Sequence, residues 1–338
     1  MEKKEFDDEF DFDEELLDQV DSDKKVKHGR KKWNAHAIFF IIVGCVFLFA
    51  IVRLLIWNQG KKSDYDPNAD TSEFDTEPLD YIQPLNSTQL EGKPDDGVTT
   101  IFCLGNAPFA DDGDNNLLAK ALGEQMNATV VNASFADSFA SQKNTSYDEA
   151  YPADSISLYY VVKALTTGDY AAVQKSAAAV SEEAASKASA LASMDLSTAD
   201  CVVIMYDLSD YIDHRPVMDP NDENNLLTVN GCLNQAIQMI QNTYPYIRIV
   251  VLSTPASGKT IDGFYVDGNI QNLGNGTLVD YLGNAANVCM SNGVTFIDTY
   301  FGVIHVENRD QLLRDDYHLN EDGAKAIAER FAKLVTLD

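Results

Sequence analysis

The chain has 338 residues, with 53 Asp plus Glu against 25 Lys plus Arg and a formal net charge of −28. Its length and 45% apolar content support a sizeable core, so it is not disordered overall. The acid excess argues against nucleic acid as a partner, and five cysteines in a chain this long exclude a disulfide-stapled mini-protein.

The N-terminal segment changes sign abruptly. Residues 1–23 contain 12 acidic residues and two lysines, which reads as a solvated tail. Phe6, Phe10, Phe12, Leu16 and Leu17 interrupt the acids, so a docking motif for a basic cytoplasmic partner is the alternative. Six basic residues then crowd into 24–32, completing an acidic-then-basic tail over 1–32. From Ala37 to Trp57 only Arg53 is charged, and a helix of that length crosses a bilayer core. Trp33 and Trp57 suit the two interfaces, so 33–57 is expected to be a transmembrane signal anchor. The positive-inside rule puts the N terminus in the cytoplasm and the C-terminal domain outside. A cleaved signal peptide fits less well, because the apolar run is long and no Ala-x-Ala site follows. Residues 58–96, rich in Asp, Asn, Ser, Thr, Pro and Gly, read as an extracytoplasmic linker.

From residue 97 to 338 apolar runs alternate with helical patterns. Strands are expected at 98–105, 128–134, 199–207, 247–254 and 294–300. Helices are expected at 117–126, 158–165, 170–194, 225–244, 278–292 and 323–335. Apolar strands separated by helices predict an α/β domain, a flavodoxin-like doubly wound five-stranded parallel sheet, preceded by the one transmembrane helix. Cys103, Cys201, Cys232 and Cys289 fall at apolar positions and read as free buried thiols.

Ligands bind beyond the C-terminal strand ends of such sheets, so three segments matter. The first is LGNAPFADDGDNN (104–116), whose glycine permits a sharp turn from strand to helix. The second is MYDLSDY (205–211) and the third RDDYHLNEDGAKAIA (314–328). Asp315 and His318 are spaced so that a carboxylate can hold an imidazole tautomer and stabilise its charged form. A capping acid and a surface histidine are the plain alternatives. Asp111, Asp112 and Asp114 lack the closing Glu of an EF-hand and read as a solvated loop. Neither a Cys-x-x-Cys nor a His-Glu-x-x-His metal signature occurs, and no cofactor is expected.

With these blocks in place, residues 97–338 resemble the SGNH/GDSL hydrolases. Asp315-Asp316-Tyr317-His318-Leu319-Asn320, followed by Gly323 and an amphipathic helix, looks like the block that supplies two triad members. Leu104-Gly105-Asn106-Ala107 looks like the opening Gly-Asp-Ser block, and the order of strands and helices matches. The resemblance implies ester hydrolysis, often removal of acyl groups from glycans or lipids. It puts Ala107 at the nucleophile position and Asn106 at the preceding Asp. Asp207-Leu208-Ser209-Asp210 stands for Gly-x-Asn-Asp, so Ser209 replaces the oxyanion-hole asparagine and Asp207 the glycine. The second-block glycine has no clear counterpart near Asn132–Ser138. Gly105, Asn106, Ala107, Ser209 and Asp210 are therefore the expected oxyanion or ligand-binding residues, with His318 and Asp315 the catalytic pair.

An alanine has no oxygen to attack a carbonyl. Loss of a nucleophilic serine costs on the order of 10⁶ in rate. The sequence thus favours a degenerate esterase: a membrane-anchored module or regulator binding a glycan or acylated ligand. The alternatives are an active acyl-ester hydrolase with a rearranged site, using His318 with water or with Ser134, Ser138 or Ser209, and a scaffold acting through its acidic tail. Beyond Arg53 there are 41 acidic against 16 basic residues, which favours neutral or basic glycans over anionic polymers.

Overall fold

The computed structural model describes residues 35–58 and 77–337 and divides the chain into two units, Met1–Glu73 and Phe74–Asp338. In the first unit the expected span is helical from Ala35 to Asn58 (α1). Side chains are described for 39–53, where Phe39, Phe40, Phe47, Leu48 and Phe49 are all exposed. Among the described residues no helix is long and apolar enough to cross a membrane. The acidic and basic tail of 1–32, and 59–76 of the expected linker, lie outside the described residues.

The second unit is built on five parallel strands: β1 (Thr100–Gly105), β2 (Thr129–Asn132), β3 (Cys201–Met205), β4 (Arg248–Leu252) and, after a hairpin, β7 (Thr295–Ile297). Their order is β2-β1-β3-β4-β7, the expected doubly wound sheet. The near-continuous apolar runs of β1, β3 and β4 follow from burial of both faces. Alternation sorts them: Phe102, Leu104, Val202, Ile204 and Val251 enter one core, and Ile101, Cys103, Val203, Met205 and Val250 the other.

The first core is covered by α3 (Leu158–Thr167), α4 (Ala171–Val180), α5 (Glu182–Leu191), α6 (Val229–Thr243) and α7 (Leu278–Asn292). The second is covered by α2 (Leu117–Met126) and α8 (Glu321–Leu334). Polar side chains start these helices where their amides lack partners. Asn116 accepts from Ala119 N at 2.8 Å, Thr228 from Gly231 N at 3.0 Å, and Asn320 from Gly323 N at 2.9 Å. The cap at Asn320 fixes α8 directly behind the loop carrying His318. All four cysteines of this unit are free and buried, as expected.

Three features differ from the sequence expectation. The Ala-rich run expected as one helix over 170–194 breaks at Ser181, whose hydroxyl caps α5 from Ala184 N at 3.1 Å. Glu182 and Glu183 then fill the first turn, where the helix dipole favours acids. An antiparallel hairpin, β5 (Gly258–Ile261) with β6 (Phe264–Asp267), follows β4. Its signal was present: Asp262-Gly263 adopts φ of 50° and 81°, the left-handed pair that a two-residue hairpin turn needs. Part of the expected linker is also docked. Tyr81 exchanges backbone hydrogen bonds of 2.9 and 2.8 Å with Phe296, and Gln83 N donates to Thr295 Oγ1 at 3.0 Å. Asp80 pairs with Arg330 and accepts from Asp298 N at 2.9 Å. This segment covers the exposed edge of β7, which otherwise offers unpaired backbone groups to other chains.

Candidate functional site

The site forms where β1 and β3 end side by side. A Cβ on Gly105 would lie 1.9 Å from the Met205 carbonyl oxygen, so only glycine lets the two strands approach this closely. The chain then turns through Asn106 into a single-turn helix, Ala107–Ala110, with Pro108 inside its first turn. Asn106 is fully buried. Its Nδ2 donates to Asp207 Oδ1 at 2.6 Å and to the Ser138 carbonyl at 3.2 Å, while Asp207 N donates back to Asn106 Oδ1 at 2.8 Å. Asn106 therefore ties two strand ends together and is committed to protein partners.

The third block divides its duties. Asp207 Oδ1 also accepts from Ser209 N at 2.8 Å. Asp210 points inward and accepts from Ala140 N at 2.8 Å, Ser141 N at 3.0 Å and the Ser141 hydroxyl at 2.5 Å. Burial pushes the Asp210 carboxyl up from its ordinary range, against the pull of those donors. Asp210 is thus an acceptor for the 140–141 turn, and it also lines a cavity at these strand ends. Ser209 lines neither of the two cavities at these strand ends.

The closing block meets the sequence expectation in its geometry. His318 Nδ1 lies 2.7 Å from Asp315 Oδ2 and 2.9 Å from Oδ1. Asp315 Oδ1 also accepts the amides of His318 at 2.9 Å and Tyr317 at 3.1 Å. Partial burial raises the Asp315 carboxyl, but these hydrogen bonds and the imidazole outweigh it, so its pKa sits below the ordinary carboxylate value. The hairpin fixes this loop from outside. Asp316 accepts from Thr260 N at 2.8 Å and Thr260 Oγ1 at 2.7 Å, and Gly258 N donates to the Asp316 carbonyl at 3.1 Å. The Tyr317 ring lies against the imidazole, centroids 3.9 Å apart.

Ala107, Asp111, Asp207, Tyr317 and His318 line one cavity of about 10 Å³, room for about one water. The sheet thus brings the alanine and the histidine to one place, as the resemblance implied. The free imidazole nitrogen, Nε2, faces Asp111 Oδ2 at 3.7 Å. Arg314 clamps the same carboxylate, with Nη2 at 2.9 Å from Asp111 and Nη1 at 2.9 Å from Asp112. Burial pushes the Asp111 carboxyl up, partly offset by the charges of His318 and Arg314. Asp111 is therefore a member of the site, which corrects its reading as a solvated acidic loop. The sequence carries it only as one of several acids; a contact across 207 residues to His318 leaves no local signature.

The serines proposed as replacement nucleophiles stand elsewhere. Ser134 donates to the Cys103 carbonyl at 3.2 Å, Ser138 to the Phe135 carbonyl at 2.8 Å, and both are buried. Neither they nor Ser209 line the His318 cavity. Among the described residues no hydroxyl is hydrogen-bonded to the imidazole. The imidazole stands between two carboxylates, and among the described residues no attacking hydroxyl accompanies it.

No family model matches the chain, and no curated protein matches it in sequence. Solved structures do. One is 18% identical with a TM-score of 0.52, over 70% of this chain and 95% of its own. Another, from Lactobacillus plantarum, is 15% identical with a TM-score of 0.50, over 70% of this chain and 95% of its own. A carbohydrate acetylesterase from Sinorhizobium meliloti is 13% identical with a TM-score of 0.42, over 70% of this chain and 100% of its own. At these identities the likeness is one of fold alone.

Proposed function

We propose that this SGNH-hydrolase-like domain is a degenerate esterase: it keeps the cleft as a ligand-binding module and does not turn over esters. One observation carries the reading. The imidazole that ought to activate a serine faces the carboxylate of Asp111 at 3.7 Å, in a cavity whose nucleophile position is the methyl group of Ala107. A second carboxylate, Asp207, lines the same cavity, where hydrolysis needs donors for a developing oxyanion. Replacing donors by negative charge disfavours the tetrahedral intermediate beyond the loss of the nucleophile.

The apolar run of 37–57 and the basic residues before it support anchoring in a membrane with this domain outside the cytoplasm. The described side chains of α1, 39–53, are exposed and apolar apart from Arg53, as suits a lipid-facing segment with a charge near one end. A tethered binding module for glycans or acylated molecules of the cell envelope is the resulting reading.

The test is hydrolysis of 4-nitrophenyl acetate by the full-length protein in a neutral detergent, beside His318→Ala. The expected result is equal, background rates. Turnover by the wild type that His318→Ala abolishes refutes the reading and points to water activated directly by the imidazole.

A further inference from the structure

We infer that the cleft recognises a ligand carrying an ammonium group, with Asp207 as its counter-ion and the adjoining apolar cavity holding an aliphatic part. The inference rests on the binding-module reading and narrows its ligand class.

The starting point is an unused oxygen. Asp207 is 9% exposed, and a carboxylate that deep is costly unless its oxygens find partners. Its Oδ1 is committed to Asn106 Nδ2 and Ser209 N. Among the described residues nothing donates to its Oδ2, and no ion pair reaches the group. By contrast, its charged neighbours are already matched. Arg314 holds Asp111 and Asp112, and Asp315 holds His318 Nδ1. Arg314 is therefore committed to Asp111 and Asp112, and Asp207 Oδ2, with no protein donor among the described residues, is open to an incoming cation.

Its surroundings say what kind. Asp207 and Thr254 line both the His318 cavity and a second cavity of about 70 Å³. By the measure that gives the first cavity about one water, the second has space for about seven. Leu158, Leu233, Leu278 and Leu282 wall it, and its second carboxylate, Asp210, is already held by Ala140 and Ser141, so its interior suits hydrocarbon better than water. A charge at the threshold and an apolar chamber behind it match an aliphatic amine end to end. An anionic ligand meets the carboxylates of Asp111 and Asp207 together. A neutral hydroxyl can donate to Oδ2 but leaves the charge unmatched. A metal ion is disfavoured, since among the described residues no group of three or more ligating side chains converges.

Three isosteric probes separate these cases: n-butylammonium, n-butanol and n-butyrate, titrated calorimetrically into the full-length protein in neutral detergent at constant ionic strength. Hydrogen bonds between charged groups are about twice as strong as neutral ones, so butylammonium is expected to bind about 10-fold or more tightly than butanol. Butyrate is expected to bind weakest. Asp207→Asn keeps an acceptor for Asn106 and Ser209, so it is expected to retain the wild-type melting temperature while losing the preference for the ammonium over butanol. Equal affinity for butylammonium and butanol, a preference that survives Asp207→Asn, or no binding of any probe each overturns the inference. His318-dependent ester turnover, measured separately, instead sinks the binding-module reading and leaves the probe order standing.

Discussion

Ala107→Ser gives back the missing hydroxyl and measures how much hydrolytic machinery surrounds it. Removing a nucleophilic serine costs on the order of 10⁶ in rate, so its return can recover at most about that factor. The cleft sets the recovered fraction. The developing oxyanion would share its cavity with the carboxylate of Asp207. Two unit charges about 5 Å apart at an effective dielectric of about 20 repel by about 3 kcal/mol, which is about two decades in rate. The imidazole must also turn from Asp111, 3.7 Å from Nε2, toward the new hydroxyl. Ala107→Ser is therefore expected to hydrolyse 4-nitrophenyl acetate slowly and in a His318-dependent way. Adding Asp207→Asn is expected to raise that rate about 10²-fold, whereas Asp207→Asn alone leaves the inactive parent inactive. Initial rates for the four proteins, each with and without His318→Ala, make the check. A double variant no faster than Ala107→Ser refutes the electrostatic argument. Turnover indifferent to His318→Ala refutes the idea that the imidazole and carboxylate pair survive as a working base.

Further expectations concern the scaffold of the site. Gly105→Ala puts a methyl group 1.9 Å from the Met205 carbonyl oxygen and is expected to separate β1 from β3. Thermal unfolding should show a loss of several °C or no cooperative transition, and a wild-type melting curve contradicts the close approach. The Asp315 carboxyl, held below the ordinary range of about 3.9, stabilises the fold while ionised; that contribution is lost as pH falls through its folded pKa. Asp315→Asn should flatten the fall of melting temperature below about pH 4, and an unchanged acid limb counts against the shift. Asp80→Ala removes the partner of Arg330 and the acceptor for Asp298 N. Amide exchange should then quicken at Tyr81 and Phe296, and unchanged protection there contradicts docking through Asp80.

Much of the fold was legible because its signals are local. Strands buried on both faces write themselves as apolar runs, and α2 and α7 run over the residues that periodicity assigns them. The split at Ser181 and the Asp262-Gly263 hairpin were written in the same local language, in a cap and in a turn. The pairing of Asp315 with His318 was legible too, since three residues along one loop are enough to hold a carboxylate against an imidazole.

The sequence by itself determined the five-stranded sheet, the apolar N-terminal run, the absence of a serine at Ala107 and the Asp315–His318 pair. Only the tertiary structure decided what those groups face. It set Asp111 against the imidazole and Arg314 against Asp111, turned Asp210 inward, and left one oxygen of Asp207 without a donor among the described residues, between two cavities. The physical reason is separation along the chain. A helix period or a turn is fixed by neighbouring residues, whereas the charge balance of a cleft is fixed by groups that meet only when distant strand ends are packed together.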